Sequence, residues 1–178
     1  MTSDQGDIDR LAIEIAEAQH MGLKVLSPDI NLSFVEFSVV PGENEIRFGL
    51  AAVKGVGVGA VEAILQARED GPFTSPEDFA KRVPANKVNR RVWESLVKSG
   101  AFDSMADRSD LLFNMDLILG FASKLQKEAL SGQTDLFSAL GDAVVDVAPS
   151  LDLKPAPTKH SEKERLTWER ELLGLYLS

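Results

Sequence analysis

The sequence predicts a mainly α-helical fold carrying one small β-hairpin, followed by a linker and a single C-terminal helix. Three observations support this. Apolar residues recur at helical spacing through most of residues 51–130. Strict alternation is confined to the stretches Phe34 to Val40 and Ile46 to Leu50. Residues 138–160 are rich in Ala, Asp and Pro and read as a linker.

The elements run in order along the chain. Asp7 is placed to cap a first helix with Leu11, Ile15 and Ala18 on one face, and Gly22 stops it. Leu23 to Ile30 reads as extended chain, because Ser27-Pro28 disfavours helix. The alternation after it places Val35, Phe37 and Val39 on one side of a strand. Pro41-Gly42 then supplies a turn, and Ile46, Phe48 and Leu50 alternate in a second strand. A short helix to about Lys54 leads into Gly55-Val56-Gly57-Val58-Gly59. A second helix comes next, with Val61, Ile64 and Leu65 inward and Gly71-Pro72 as its end. Ser75 is a good N-cap with Pro76 at the first helical position and Asp78 three residues after the cap; that helix ends near Val83-Pro84.

The next predicted helix, about Lys87 to Ser99, separates its faces cleanly. Val88, Val92, Trp93, Leu96 and Val97 fall on one half of the wheel, and Lys87, Arg90, Arg91 and Lys98 on the other. Ser99-Gly100-Ala101-Phe102-Asp103 breaks the pattern. One long helix is expected from about Ser109 to Leu130, stopping at Ser131-Gly132, and a final amphipathic helix from about Ser161 to Leu175. The expected organisation is thus an N-terminal helix and β-hairpin (1–50), a helical domain (51–132), a peptide and linker (133–160) and a terminal helix (161–178).

Composition bounds the function. A chain of 178 residues, 44% hydrophobic and 26% charged, is large enough to bury a core. It has no cysteine, which excludes disulfides and thiolate metal sites. No stretch approaches the roughly 18 apolar residues of a membrane span, and the N-terminus lacks the pattern of a signal peptide. A cytoplasmic location without membrane contact is expected. The net charge is −9, against the usual basic balance of a free-standing DNA-binding domain. The acids are uneven, however. Residues 1–46 hold nine acids and two bases, whereas residues 81–98 hold six bases and one acid, so a focused contact with an anion is open.

Leu50 to Ile64 has the spacing of a helix-hairpin-helix motif. A Gly-apolar-Gly turn brings backbone close to a phosphate, since two positions lack Cβ. The succeeding helix offers its positive N-terminal end. Val56 would tuck inward and pin the turn, while Lys54 would add a point charge. Such a contact positions a protein on a phosphate backbone without reading sequence. A plain αα-hairpin with a Gly loop fits the stretch equally well. A dinucleotide turn lacks its preceding parallel strand, and a P-loop lacks its Gly-Lys-Ser/Thr. The DNA-facing set is Lys54, Gly55, Val56, Gly57, Val58 and Gly59, joined by Lys87, Arg90, Arg91, Lys98, Ser99 and Gly100 from the second helical pair. A solvated charged face is the competing reading of that second set.

Gln133-Thr134-Asp135-Leu136-Phe137 comes directly after the Ser131-Gly132 stop. Leu136 and Phe137 either fold back as a local staple or form a short linear motif whose apolar pair anchors in a partner's pocket, with Gln133 on its rim. His20 and His160 are isolated, with no metal spacing.

Together these residues resemble the bacterial DNA polymerase III alpha family. Met21 to Asn31 is similar to the segment leading out of its fingers. Ile46 to Gly57 resembles the approach to its tandem helix-hairpin-helix region. Gly71-Pro72-Phe73, Asp78-Phe79 and Glu94 to Asp103 resemble the remainder of that region. Gln133, Thr134, Asp135, Leu136 and Phe137 are similar to its internal sliding-clamp-binding motif, which favours the replicative branch of the family. Trp168 to Tyr176 resembles the helix leading into its C-terminal part.

The resemblance implies a fragment that grips duplex DNA, binds the sliding clamp and works with the rest of the polymerase alpha chain. It implies no catalytic residue, metal or cofactor here, the family's carboxylates and Mg2+ belonging to a palm domain outside this sequence. Two other readings are a helical interaction domain without DNA contact, which the net charge keeps open, and a helix-hairpin-helix DNA-repair enzyme. A glycosylase of that kind needs an acid near the hairpin helix; Asp78 is available but is explained as a helix-start residue.

Overall fold

A computed structural model describes residue 13, residues 15–131 and residues 150–174. Residues 15–20 are helical (α1), with Ile15 buried. Gly22, at φ +90, closes the helix as the sequence predicts. Its N–H donates to the Gln19 carbonyl at 3.1 Å, and that of Leu23 to Ala18 at 3.0 Å. The predicted cap at Asp7 lies outside the described residues.

The predicted hairpin forms, but within a three-stranded sheet. The strands are β1 (Lys24–Leu26), β2 (Ser38–Val39) and β3 (Glu45–Arg47), in the order β1-β3-β2. β2 lies antiparallel to β3, with Val39 opposite Ile46. The turn has Pro41 and Gly42 at its centre, Gly42 at φ +83 and the Glu43 N–H donating to the Val40 carbonyl at 3.3 Å. The segment read only as extended chain is β1, parallel to β3 with Val25 opposite Ile46. The alternation expected on β2 breaks down. Val39 is 72% exposed, whereas Phe37 packs edge-on against the buried Phe48 at 4.5 Å. β2 is an edge strand of two residues, and only part of its apolar face reaches the core.

The sheet is bonded to the helices. Ser33 donates to the Phe48 carbonyl at 2.8 Å, and Ile30 N–H to Ala101 at 3.0 Å. Asn31 clasps Phe73 from both sides, its amide donating to the Phe73 carbonyl and its oxygen accepting from the Phe73 N–H. A 3-10 turn (Leu50–Ala52) leads to α2 (Val58–Arg68), α3 (Pro76–Arg82) and α4 (Arg90–Ser99). Ser75 caps α3 as predicted, accepting from the Asp78 N–H at 3.1 Å. α4 starts three residues later than its periodicity suggests, because Asn89 takes the cap and accepts from the Val92 N–H at 3.0 Å. Phe79, Trp93 and Phe102 meet at centroid distances of 4.9 to 5.2 Å at the centre of the core.

The single long helix expected after residue 109 is two helices, α5 (Arg108–Phe113) and α6 (Met115–Ser131). Asn114 divides them. Its amide donates to the Asp110 carbonyl at 2.7 Å and to the Lys154 carbonyl at 2.6 Å, while its oxygen accepts from the Lys154 N–H. Residues 150–160, expected as linker, therefore lie bonded along α5. The Ala156 N–H donates to Asp110 and the His160 N–H to Ser109, each at 2.8 Å. Ser161 and Glu164 form a capping box that starts α7 (Glu162–Leu173), which ends at Gly174 with φ +80.

α7 docks on α4 and α5 through a buried ion pair. Glu169 is fully buried and accepts from Arg108 Nη2 at 3.1 Å; Arg108 also grips Asp103 at 2.8 Å and the Lys98 carbonyl at 3.1 Å. Asp107 accepts from Arg165 at 3.0 Å and pairs with Lys159, which also bonds Asp110.

This docking has two measurable consequences. Glu169→Ala leaves the buried Arg108 guanidinium to Asp103 alone and should cost about 2 kcal/mol in chemical denaturation, with a smaller loss when Arg108→Ala is added. Equal losses would contradict the pairing. The Ala156 N–H, then Lys159, hold the Asp110 carboxyl below the usual range. Burial opposes the same shift at Asp107, but hydrogen bonds from Ser109 and Asp110 and the charges of Lys159 and Arg165 outweigh it. A depressed carboxyl contributes its stability above the unfolded value of about 3.9 and loses it as pH falls through the folded value. Stability should accordingly drop below about pH 4, and less steeply in Asp110→Asn. A profile identical in the variant would contradict the assignment.

Candidate nucleic-acid interface

The first hairpin is built around Gly55. Its φ of +92 turns the chain, and a Cβ there would lie 2.6 Å from Ser95 Oγ and 3.3 Å from Arg91 Nε of α4. Glycine is required twice over, by backbone angle and by this close approach. Val56 is buried and pins the turn inward, as its place between two glycines predicts. Gly57 and Gly59 differ from Gly55: an added Cβ at either meets nothing within 4 Å. Val58 between them is 55% exposed. The tip is open.

α2 begins on Gly57 with no side-chain cap and no acid in its first turn. By contrast, α3, α4, α5 and α7 start on Ser75, Asn89, Asp107 and Ser161, each accepting from the helix's own N–H groups. Among the described residues no carboxylate or hydroxyl receives the leading N–H groups of α2, which start on the exposed Gly57-Val58-Gly59 stretch, and this favours an external anion. Lys54 and Arg91 flank the turn, both exposed, and neither forms an ion pair among the described residues. The Lys54 N–H donates to the Leu172 carbonyl at 2.9 Å, so α7 buttresses the hairpin from behind.

The remaining predicted contacts separate. Lys87 is exposed just ahead of the α4 cap. Arg90 is compensated by Asp116 and by Glu94 at 3.7 Å; the Asp116 hydrogen bond foremost raises its pKa. The Lys98 ammonium lies 5.6 Å above the Trp168 ring of α7. Ser99 is fully buried, its hydroxyl donating to the Leu96 carbonyl at 2.9 Å. Gly100 is buried at φ +94, and a Cβ there would lie 2.7 Å from Arg108 Nη2. Ser99 and Gly100 are therefore corrected from the expected contact set: they face the core, and Arg108, Asp103 and Glu169 fill the second turn. The four-residue basic face of α4 reduces to Arg91 beside the first hairpin and Lys87 at the helix start.

Ser95 was missed by sequence reasoning. It lines an open pocket of about 380 Å³ with Lys54, Arg91, Glu171 and Leu172. The available signal was its place four residues after Arg91, one turn along the same helix face. Gln133, Thr134, Asp135, Leu136 and Phe137 lie outside the described residues. Among the described residues, no group of three or more His, Asp or Glu is placed to hold a metal, and no helix is long and apolar enough to cross a membrane.

Comparison with known proteins agrees with this geometry. Residues 22–111, spanning the sheet and both hairpins, match the helix-hairpin-helix motif family. The whole chain aligns with DNA polymerase III subunit alpha of Thermus aquaticus at 42% identity, covering 14% of that protein. It aligns likewise with the alpha subunits of Haemophilus influenzae at 41% and Campylobacter jejuni at 35%, covering 15% of each. The chain thus spans about one seventh of the length of these relatives. It belongs to the helix-hairpin-helix family, and along its full length it matches the helix-hairpin-helix region of DNA polymerase III alpha subunits.

Proposed function

We propose that this chain is a non-catalytic segment of a replicative polymerase alpha subunit, acting in the cytoplasm. In this reading it holds the backbone of duplex DNA without reading sequence and binds the sliding clamp. The observation that supports DNA contact is the uncapped start of α2 on the open Gly57–Gly59 tip, flanked by Lys54 and Arg91, whose charges are unpaired among the described residues. The net charge of −9 makes the isolated grip weak. A clamp tether compensates, because it turns each later DNA contact into an effectively intramolecular one. Gln133 to Phe137 supplies that tether in this reading, with Leu136 and Phe137 as the anchors. Nucleotidyl transfer and its Mg2+ belong to the remainder of the polymerase chain.

Two measurements test the two halves. Duplex binding at low salt, followed by fluorescence anisotropy, should weaken about tenfold in the Lys54→Ala/Arg91→Ala variant, and its log–log salt slope should shrink by about 2. Arg90→Ala should bind like the parent; equal effects of all three changes would point to bulk charge instead. Clamp binding should disappear in Leu136→Ala/Phe137→Ala, and retention of parental affinity would remove the clamp half.

A further inference from the structure

The pocket beside the first hairpin holds donors and charge without an acceptor to match them. Arg91 and Ser95, one turn apart on α4, both occupy the space that a Cβ at Gly55 would take. Ser95 is only 6% exposed and its hydroxyl makes no hydrogen bond among the described residues, yet it lines the pocket. The hydroxyl is not sealed off: among the described residues the fully enclosed side-chain polar atom without a partner is Arg165 Nε, so Ser95 Oγ is reachable from the pocket and free to donate. Lys54 and Arg91 border the same space, each without an ion pair among the described residues. The one acid present, Glu171 of α7, lines the rim and pairs with neither cation.

Two positive charges bordering a pocket with a free hydroxyl donor are complementary to a tetrahedral oxyanion. We propose that this pocket is a subsite for one phosphodiester of the DNA backbone, with Ser95 Oγ donating to a phosphate oxygen between Arg91 and Lys54. Glu171 at the rim repels the same phosphate and keeps the hold weak. The inference rests on the reading of the first hairpin as a DNA contact, and it adds a side-chain donor from the second helical pair. One phosphate position on the duplex is thereby fixed jointly by two hairpins, although only the first presents an open turn.

The test uses the full chain with inorganic phosphate and, separately, a labelled duplex at constant ionic strength. Phosphate should shift the backbone amide signals of Lys54, Gly55 and Ser95. Ser95→Ala should weaken phosphate and duplex binding about fivefold, the loss of one charge-assisted hydrogen bond. Glu171→Gln, on the exposed rim, should strengthen both about threefold by removing one like charge. Should parent and Ser95→Ala bind phosphate alike, and Glu171→Gln change nothing, the subsite is overturned. Duplex binding that persists but ignores both substitutions overturns the subsite and leaves the hairpin reading standing. Phosphate binding with no duplex binding by the parent overturns the DNA assignment and leaves an anion pocket.

Discussion

The two hairpin turns, at Gly55 and Gly100, depend on one steric constraint: a glycine whose Cβ position is already taken by a side chain from elsewhere. At Gly55 the occupants are Ser95 and Arg91 of α4, and at Gly100 the occupant is Arg108 of α5. Each glycine sits at a φ near +90, which any other residue adopts only with strain. The backbone of one hairpin can therefore rest directly on the side chains of the next helix. That contact joins the first hairpin to α4, and α7 completes the arrangement by bonding Lys54 from one end and Arg108 from the other.

The same constraint leads to opposite surfaces. At the second turn, Arg108 brings its own counter-ions, Asp103 and the buried Glu169, so the turn is neutralised and closed from within. At the first turn, Arg91 arrives with no counter-ion among the described residues, beside a helix start that lacks a cap. The difference is electrostatic, since φ at the two glycines is nearly the same. In a chain with net charge −9, Lys54 and Arg91 thus leave two uncompensated positive charges beside the first turn, where among the described residues opposing acids are farther than pairing distance.

The legibility of this fold in its sequence depends on the range of the forces involved. Local rules were readable. Ser75 capped its helix, Gly22 and Gly100 ended theirs, Pro41-Gly42 made the turn, and Val56 went inward between its glycines. Features set by distant partners were not. Asn114 splits a periodic helix because Lys154, 40 residues away, needs its amide. β1 joins the sheet in parallel, a pairing that periodicity does not encode. The basic face of α4 looked uniform on a helical wheel. Asp116 and Trp168 then divided it, and neither lies within α4.

In the proposed DNA grip, of the two hairpins only the first meets DNA through its backbone. Mapping amide chemical shifts along the full chain, on titration with a short duplex at low salt, tests it most directly. The expected changes are concentrated in residues 54–60, with the 99–103 turn unmoved. Changes concentrated in the second turn, or spread evenly over all exposed lysines and arginines, would contradict it.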